Sequence, residues 1–350
     1  MDRTTVNVYE TNVDGWIEHR RRARPPSIDA FAARVPPGVR ADVGCGPGWH
    51  STDLGAPVVA FDAAPAMAAQ VRRFAPGAWP LVADLERLPF RPGGLTGAWA
   101  HKSYMHIASE RLPMALAELH RSVALDGKVH LQVTSDRREE NADDRFPGRH
   151  FSWWPADRLR DVVEGAAFVV DDFLDDGDEW IDVDATRARM LADTVGPDMR
   201  ALIVGLNPGL LSADTGISFA RPGNRFWPAA LASGLVTRTH DPFHAFRVDR
   251  IGMTNLVRRA STGAGELSRA EYVDGIARLR RLVRWLQPAC VCFVGVTGYR
   301  IAVDKGASYG WQSDSFGGVP TYVMPNTSGL NAHAKPAEFT EHLRAVATAT

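Results

Sequence analysis

Asn207 follows an apolar run, RALIVGL at 200–206, and Pro208-Gly209 turns the chain directly after it; ten residues past Gly209, positions 219–227 read FARPGNRFW. A neutral carboxamide has no useful pKa for proton transfer. Its carbonyl oxygen can still hold a water molecule in place, and positioning alone lowers the entropic part of a barrier. Phe219 adds a flat face on which a ring could stack. A residue just past a parallel strand lies at the carboxyl edge of the sheet, where α/β folds gather their ligands. A different pattern comes earlier, where ADVGCGPGWH at 41–50 runs a strand into Gly44, Gly46 and Gly48. Glycines there let the backbone pass close to a ligand at the start of a helix, which points to a nucleotide. The dinucleotide spacing G-x-G-x-x-G would need glycine at 49, where Trp49 stands, so a nicotinamide dinucleotide is disfavoured. Asp62 and Asp84 close the next two apolar runs.

The elements that must carry these residues divide the chain in two. At 350 residues it exceeds one ordinary core, so two domains are expected. Residues 1–35 read as two capping helices. Short apolar runs ending at Val43, Asp62, Asp84, His101 and Val133 then alternate with helical stretches such as 110–124, which argues for a parallel sheet covered on both faces. FVVDDFL and EWIDVDA, joined through Asp176-Gly177, read as a closing β-hairpin. A second series starts at Arg200, with strands in RALIVGL, ACVCFVGV and VPTYVMP. Ser268 and Glu271 predict a capping box, followed by helical spacing of Val273, Ile276, Leu279, Val283 and Leu286 until Pro288. The fold class is therefore α/β with two domains, 1–190 and 198–350, and the boundary falls in 186–198 around Gly196-Pro197.

Composition narrows the function classes. No apolar run approaches the roughly 18 residues that span a bilayer, and the first ten residues lack an export signal, so a soluble, cytoplasmic protein is expected, with no membrane partner. Three cysteines, Cys45, Cys290 and Cys292, cannot by themselves build a four-thiolate metal site. No metal is expected, and Cys290 and Cys292 read as core residues of a strand. The net charge of −1 hides an asymmetry: residues 195–350 hold 2 Lys and 15 Arg against 7 Asp and 4 Glu, whereas the rest is net acidic. A basic half can meet phosphates.

The motif at 41–50, with Asp62 in VVAFDAAPAM and Asp84 in LVADLERLPF, resembles the class I S-adenosylmethionine-dependent methyltransferases over roughly residues 5–185. That resemblance implies a Rossmann-like sheet and S-adenosylmethionine as cofactor. Asp62 would take the ribose hydroxyls and Asp84 the adenine amino group, while Asp42, Gly44, Gly46 and Gly48 would hold the methionine part. Cys45, Ala63, Leu85 and His101 complete the cofactor-binding set. The methyl acceptor is unknown. AHKSYMHI offers His101, Tyr104 and His106 to orient one, but it is neither the Asn/Asp-Pro-Pro-aromatic motif of base amino methylation nor a Pro-Cys nucleophile, so direct base methylation is disfavoured.

GLNPG at 205–209, FARPGNRFW at 219–227 and NTSGLNA at 326–332 together resemble the mismatch-specific uracil-DNA and thymine-DNA glycosylase family over about residues 200–348. That resemblance implies a three-layer αβα fold with a mostly parallel four-stranded sheet and no cofactor for this domain. Its activity would be hydrolysis of the N-glycosidic bond of uracil mispaired with guanine, with thymine and etheno-cytosine as further bases. Asn207 would be the catalytic, water-orienting residue. Gly205, Leu206, Pro208, Gly209, Ile217, Phe219 and Asn255 would form the base pocket, with Phe219 stacking on the base and the Thr215-Gly216 turn aiming the backbone N–H groups of Ile217 and Phe219 at its carbonyls. Asn326, Thr327, Ser328, Gly329, Leu330 and Asn331 would form the wedge and phosphate loop, Leu330 filling the gap left by the everted nucleotide. Thr327 stands where well-known members have Pro, and Asn331 where they have Ser. Arg221, Arg225, Arg258 and Arg259 are candidates for phosphate contact, and Phe226 and Trp227 for core anchors. The expected partner is double-stranded DNA with G·U or G·T mismatches, bound by a monomer. Two rival readings stand beside this one: a mismatch-binding module that does not cut, and a small-molecule methyltransferase whose second domain is a non-catalytic nucleic-acid-binding module.

Overall fold

The computed structural model describes residues 1–20, 23–137, 145–331 and 334–349. The chain forms two compact units, residues 1–164 with 168–188 and residues 165–167 with 189–350. Ala332, the last residue of the NTSGLNA motif, lies outside the described residues.

The first unit opens with helices α1 (Arg3–Thr11), α2 (Val13–His19) and α3 (Ile28–Arg34), three where two were expected. Asn12 interrupts the first stretch: its backbone N–H still closes on Val8, while its backbone leaves the helical region at ψ 20°. There follow β1 (Arg40–Val43), β2 (Val58–Asp62), α4 (Pro65–Phe74), β3 (Trp79–Val82), β4 (Leu95–His101), α5 (Leu112–Ser122), β5 (Val123–Ser135), β6 (Trp153–Trp154), α6 (Ala156–Gly165), β7 (Phe168–Asp175) and β8 (Trp180–Arg187). The strands form one sheet in the order β3-β2-β1-β4-β5-β8-β7, with β6 beside β5. β1 to β5 run parallel, and the expected β7–β8 hairpin closes the edge antiparallel. Ile28 and Phe31 of α3 and Val71 of α4 pack on Val58, Ala60 and Trp99, so these helices close the sheet through apolar residues with no solvent access or almost none.

The second unit holds β9 (Ala201–Gly205), α7 (Leu210–Thr215), α8 (Phe226–Ala232), α9 (Pro242–Arg247), β10 (Ile251–Asn255), α10 (Arg269–Leu286), β11 (Val291–Val294), α11 (Val296–Ala302), β12 (Gly310–Trp311), β13 (Thr321–Met324) and α12 (Pro336–Thr348). Its sheet order is β10-β9-β11-β13-β12. The four expected parallel strands are present, and a fifth, the two-residue β12, lies antiparallel on β13. Alternate residues of each strand face opposite layers. Ile203, Met253, Cys292 and Met324 meet Phe226, Trp227, Phe339 and Leu343 from α8 and α12. Leu202, Val204, Phe293 and Val323 meet Ile276, Leu279, Val283 and Tyr299 from α10 and α11. Phe226 and Trp227 are fully buried anchors, and Cys290 and Cys292 are buried free thiols. The capping box at Ser268 is formed, and the helix ends at Gln287 in a left-handed turn before Pro288. Val273 is half exposed, and Tyr272 takes the buried position assigned to it, because the apolar stripe drifts around a helix that repeats every 3.6 residues. No helix among the described residues is long and apolar enough to cross a membrane.

Candidate functional site

Each unit carries a cavity at the carboxyl edge of its parallel strands. In the first, a cavity of about 220 Å³ lies between α1, α2 and the loops after β1, β2, β3 and β4. Gly44, Cys45, Gly46, Asp62, Ala63, Leu85 and His101, seven of the ten expected cofactor residues, line it. Gly44 has φ +66°, and a Cβ there would lie 2.4 Å from the Cβ of Ser103, so only glycine lets the loop turn this tightly. Asp62 accepts the backbone N–H of Gly46 on one oxygen and that of Ala64 on the other, each at 2.9 Å, and burial raises its pKa. Each oxygen keeps a second lone pair.

Asp42, Gly48 and Asp84 depart from their expected places. Asp42 sits behind the glycine loop, 4% exposed, and accepts a hydrogen bond from Ser51 Oγ at 2.6 Å; burial pushes its pKa up to about 7. A carboxylate used to fix a loop from beneath is not available to the cavity. Gly48 faces Val71 of α4 rather than the cavity. Asp84 accepts from the backbone N–H of Glu86 and from the terminal amine of Met1 at 2.8 Å, and Met1 itself lines the cavity.

The residues suggested for orienting an acceptor separate in the same way. Tyr104 is fully buried away from the cavity, whereas His101 and His106 line it. Burial drives His101 down to about pKa 2, so it stays neutral in water of any ordinary pH. Tyr9, Trp16 and Trp49 also line the cavity; nothing local ties Tyr9 and Trp16, on α1 and α2, to the motif loops, and Trp49 reads in the motif only as the residue that breaks the dinucleotide spacing.

The second cavity is a cleft of about 650 Å³. Leu206, Asn207, Pro208 and Gly209 enter it from the end of β9, Asn255 from β10, and Phe219 from the loop after α7. Asn326, Ser328, Leu330 and Asn331 enter from the loop after β13. The amide of Asn207 is held on its nitrogen side: Nδ2 donates to Ser261 Oγ at 2.8 Å and to the carbonyl of Pro208 at 3.2 Å. Ser261 in turn donates to the carbonyl of Gly263 at 2.9 Å. With both amide hydrogens placed, Oδ1 is left as an acceptor in a fixed direction. Ser261 and the Thr262–Ala264 segment were missed by sequence reasoning, since nothing in the sequence ties residue 261 to residue 207.

Phe219 is half-buried and stacks on Phe226, with ring centroids 4.2 Å apart and planes 23° apart. Its φ of +57° is rare for a residue with a side chain and costs roughly 1 kcal/mol or more. The Phe226 stack and the hydrogen bond from Trp227 Nε1 to the carbonyl of Ser218, 2.7 Å, hold it there. Gly205 sits beneath: a Cβ on it would lie 2.6 Å from Asn255 Oδ1 and 3.5 Å from Phe219 Cζ. It is needed for that close approach although it does not itself line the cleft.

Ile217, Thr327 and Gly329 do not line the cleft. Ile217 packs on the core, and its backbone N–H meets Thr215 Oγ1 at 3.4 Å. Thr327 is fully buried and accepts from the backbone N–H of Arg225, and Gly329 packs against Gly223. Arg225 and Arg259 are engaged within the fold. Arg225 donates to the carbonyls of Ala334, Gly329 and Asn331, because a loop without secondary structure leaves carbonyls that need donors. Arg259 pairs with Glu271 and Glu266. Arg258 is half-buried and does not line the cleft, whereas Arg221 does. Leu330, 78% exposed, stands out at the rim.

Two α/β units, each with a cavity where parallel strands end, define a two-domain protein with a Rossmann-like first half and an αβα second half. Residues 192–347 match the family model of the uracil DNA glycosylase superfamily, and residues 41–131 match that of a methyltransferase domain, so the chain carries one domain of each kind. Among solved structures the chain is similar to an S-adenosylmethionine-dependent methyltransferase from Thermotoga maritima, at 16% identity over 52% of this chain and 99% of that one, with TM-score 0.42. It is also similar to the 1,6-didemethyltoxoflavin-N1-methyltransferase of Burkholderia thailandensis, at 18% identity over 52% and 85% with TM-score 0.40. A third is the geranyl diphosphate C-methyltransferase of Streptomyces coelicolor, at 16% over 46% and 77% with TM-score 0.39.

Proposed function

We propose that the second domain excises uracil from G·U mismatches in double-stranded DNA and leaves an abasic site, and that the first binds S-adenosylmethionine for methyl transfer. The observation that carries the excision reading is the oriented carboxamide of Asn207, sharing one cleft with the ring of Phe219. Among the described residues lining that cleft, Arg221 is the one ionisable side chain; there is no carboxylate and no histidine. Such a site has no strong acid or base to offer, so it must act on a bond whose leaving group tolerates negative charge by itself. Uracil, hydrogen-bonded at its carbonyls, is such a leaving group.

In this mechanism the everted uracil stacks on the free face of Phe219, and Asn255 meets its polar edge. The C1′–N1 bond breaks with its electron pair leaving on the base. Asn207 Oδ1 holds the water that adds to C1′, whose proton goes to solvent. Leu330 fills the vacated stack and Arg221 meets a phosphate; thymine or etheno-cytosine opposite guanine would be further bases. A G·U duplex incubated with the protein should yield alkali-labile abasic sites. Single-turnover rates should be flat from about pH 6 to 9, since among the described residues no group of an ordinary pKa in that range lines the cleft. A bell-shaped or steadily rising profile would require a general base and contradict the mechanism. Tight mismatch binding without base release would make this domain a binding module instead.

The residues of the first cavity fit S-adenosylmethionine. Asp62 keeps a lone pair on each oxygen for the ribose hydroxyls, and Gly44 and Gly46 let the backbone approach the methionine part. When bound, that group supplies a methyl on a positively charged sulfur. Calorimetry with S-adenosylmethionine should show binding to the wild type and at least about a tenfold loss in Asp62→Ala, the scale of one lost charge-assisted hydrogen bond. No heat from the wild type would retire the reading.

A further inference from the structure

The first cavity holds a hydrogen-bond chain that cofactor binding does not use. His106 Nδ1 lies 2.7 Å from the carbonyl oxygen of His150. A carbonyl only accepts, so Nδ1 carries a hydrogen, and in the neutral ring Nε2 is the acceptor. The Tyr9 hydroxyl lies 2.9 Å from that Nε2 and therefore donates to it. Arg149 Nη1 donates to the Tyr9 oxygen at 3.0 Å. The phenol has thus placed its hydrogen and accepted one bond, which leaves one acceptor direction on a side chain that lines the cavity. The chain spans three parts of the sequence, α1, the loop after β4 and the segment before β6, and it ends on a backbone carbonyl.

We infer that Tyr9 and His106 form the proton-accepting pair of this site, and that the methyl acceptor is a small aromatic hydroxyl compound methylated on oxygen. The inference rests on the reading of the cavity as a methyl-donor site. The rings of Tyr9, Trp16 and Trp49 give it aromatic walls, Trp16 and Trp49 being stacked at 4.9 Å, and Arg20 lines it as well. A flat ring that becomes an anion matches those walls and that charge. The acceptor hydroxyl donates to the open side of the Tyr9 oxygen. As the acceptor oxygen bonds to the methyl carbon of the sulfonium donor, the carbon–sulfur electron pair stays with sulfur. The acceptor proton passes to Tyr9 while the proton of Tyr9 passes to His106 Nε2. The products are an aryl methyl ether, a neutral thioether and an imidazolium, whose Nδ1–H stays on His150 and whose extra proton later leaves to solvent. Arg149, donating to the shared oxygen, stabilises the negative charge that passes through it.

The test uses the full chain loaded with S-adenosylhomocysteine and 4-nitrophenol as probe, whose yellow phenolate reports its own ionisation. On the wild type the probe should bind with its apparent pKa lowered by about one unit, a tenfold change in the phenolate-to-phenol ratio. Tyr9→Phe, which removes the relay oxygen, should return the bound probe to its solution value. His106→Gln, which can still accept from Tyr9 but cannot take up a proton, should do the same; circular dichroism checks that both variants fold. A probe that binds the wild type without ionising, or ionises equally in both variants, overturns the pair. Failure of the probe to bind overturns the aromatic hydroxyl assignment. Absence of any heat with S-adenosylhomocysteine overturns the methyl-donor reading instead, and the same titration without it still reads the pair.

Discussion

Asn207→Ala is expected to lower the single-turnover rate of uracil release from a G·U duplex by at least about a hundredfold, with duplex affinity changed less than about threefold. The asymmetry follows from what the side chain touches. Asn207 contacts its own loop and Ser261, and the groups proposed to meet the DNA, Arg221 and Leu330, lie elsewhere on the cleft. Alanine removes the acceptor for water and leaves the binding surface intact. Asn207→Asp makes a sharper comparison. A carboxylate cannot donate, so the Ser261 hydroxyl would have to turn from the Gly263 carbonyl towards the new oxygen, and the loop would lose a hydrogen bond. The variant would gain a titrating group, and its flat pH profile should acquire a limb that falls as the carboxylate is protonated. Rates would be read by alkaline cleavage of the product strand and affinities by anisotropy. An alanine variant that excises at the wild-type rate would remove Asn207 from the chemistry.

The contrast between Asn207 and Arg225 shows where sequence is legible. Asn207 sits one residue past an apolar run and before Pro-Gly, so its place at the sheet edge follows from chain order alone. The same holds for Phe219, for Asp62 at the end of its strand in the first domain, and for most of the 326–331 loop, each read from a local motif. Arg225 reads as a phosphate ligand because it is an arginine in a basic domain, yet its guanidinium is taken up by carbonyls more than a hundred residues away. Nothing local shows that demand. Tyr9 and His106 are 97 residues apart, and Asn207 and Ser261 are 54 apart; each pair is made by the tertiary fold, the first by the docking of α1 and the second by the pairing of β9 with β10. Asp42 shows the other failure, where a motif places a carboxylate correctly along the chain but not which way it faces.

Arg278→Met is expected to destabilise the second domain by about 3–5 kcal/mol, because it breaks one side of a buried ion pair. Arg278 Nη1 donates to Asp193 Oδ2 at 2.6 Å, and the two side chains are 8% and 5% exposed. Thr254 Oγ1 donates to the other Asp193 oxygen at 2.5 Å, while Arg278 Nη2 donates to the carbonyl of Asn255 at 2.9 Å. Methionine would strand the carboxylate with a single hydroxyl for company. Pairing it with Asp193→Leu should recover much of the loss, since a buried pair replaced by apolar groups of similar size is often close to neutral. The Asn255 carbonyl would remain without its guanidinium donor in that double variant. Its side chain, which lines the cleft, would then be less firmly set for a base. The double variant should therefore regain its urea midpoint but keep a raised half-saturating concentration for G·U duplex in single-turnover excision. Recovery of both would mean that the pair serves stability alone and that β10 fixes Asn255 without it.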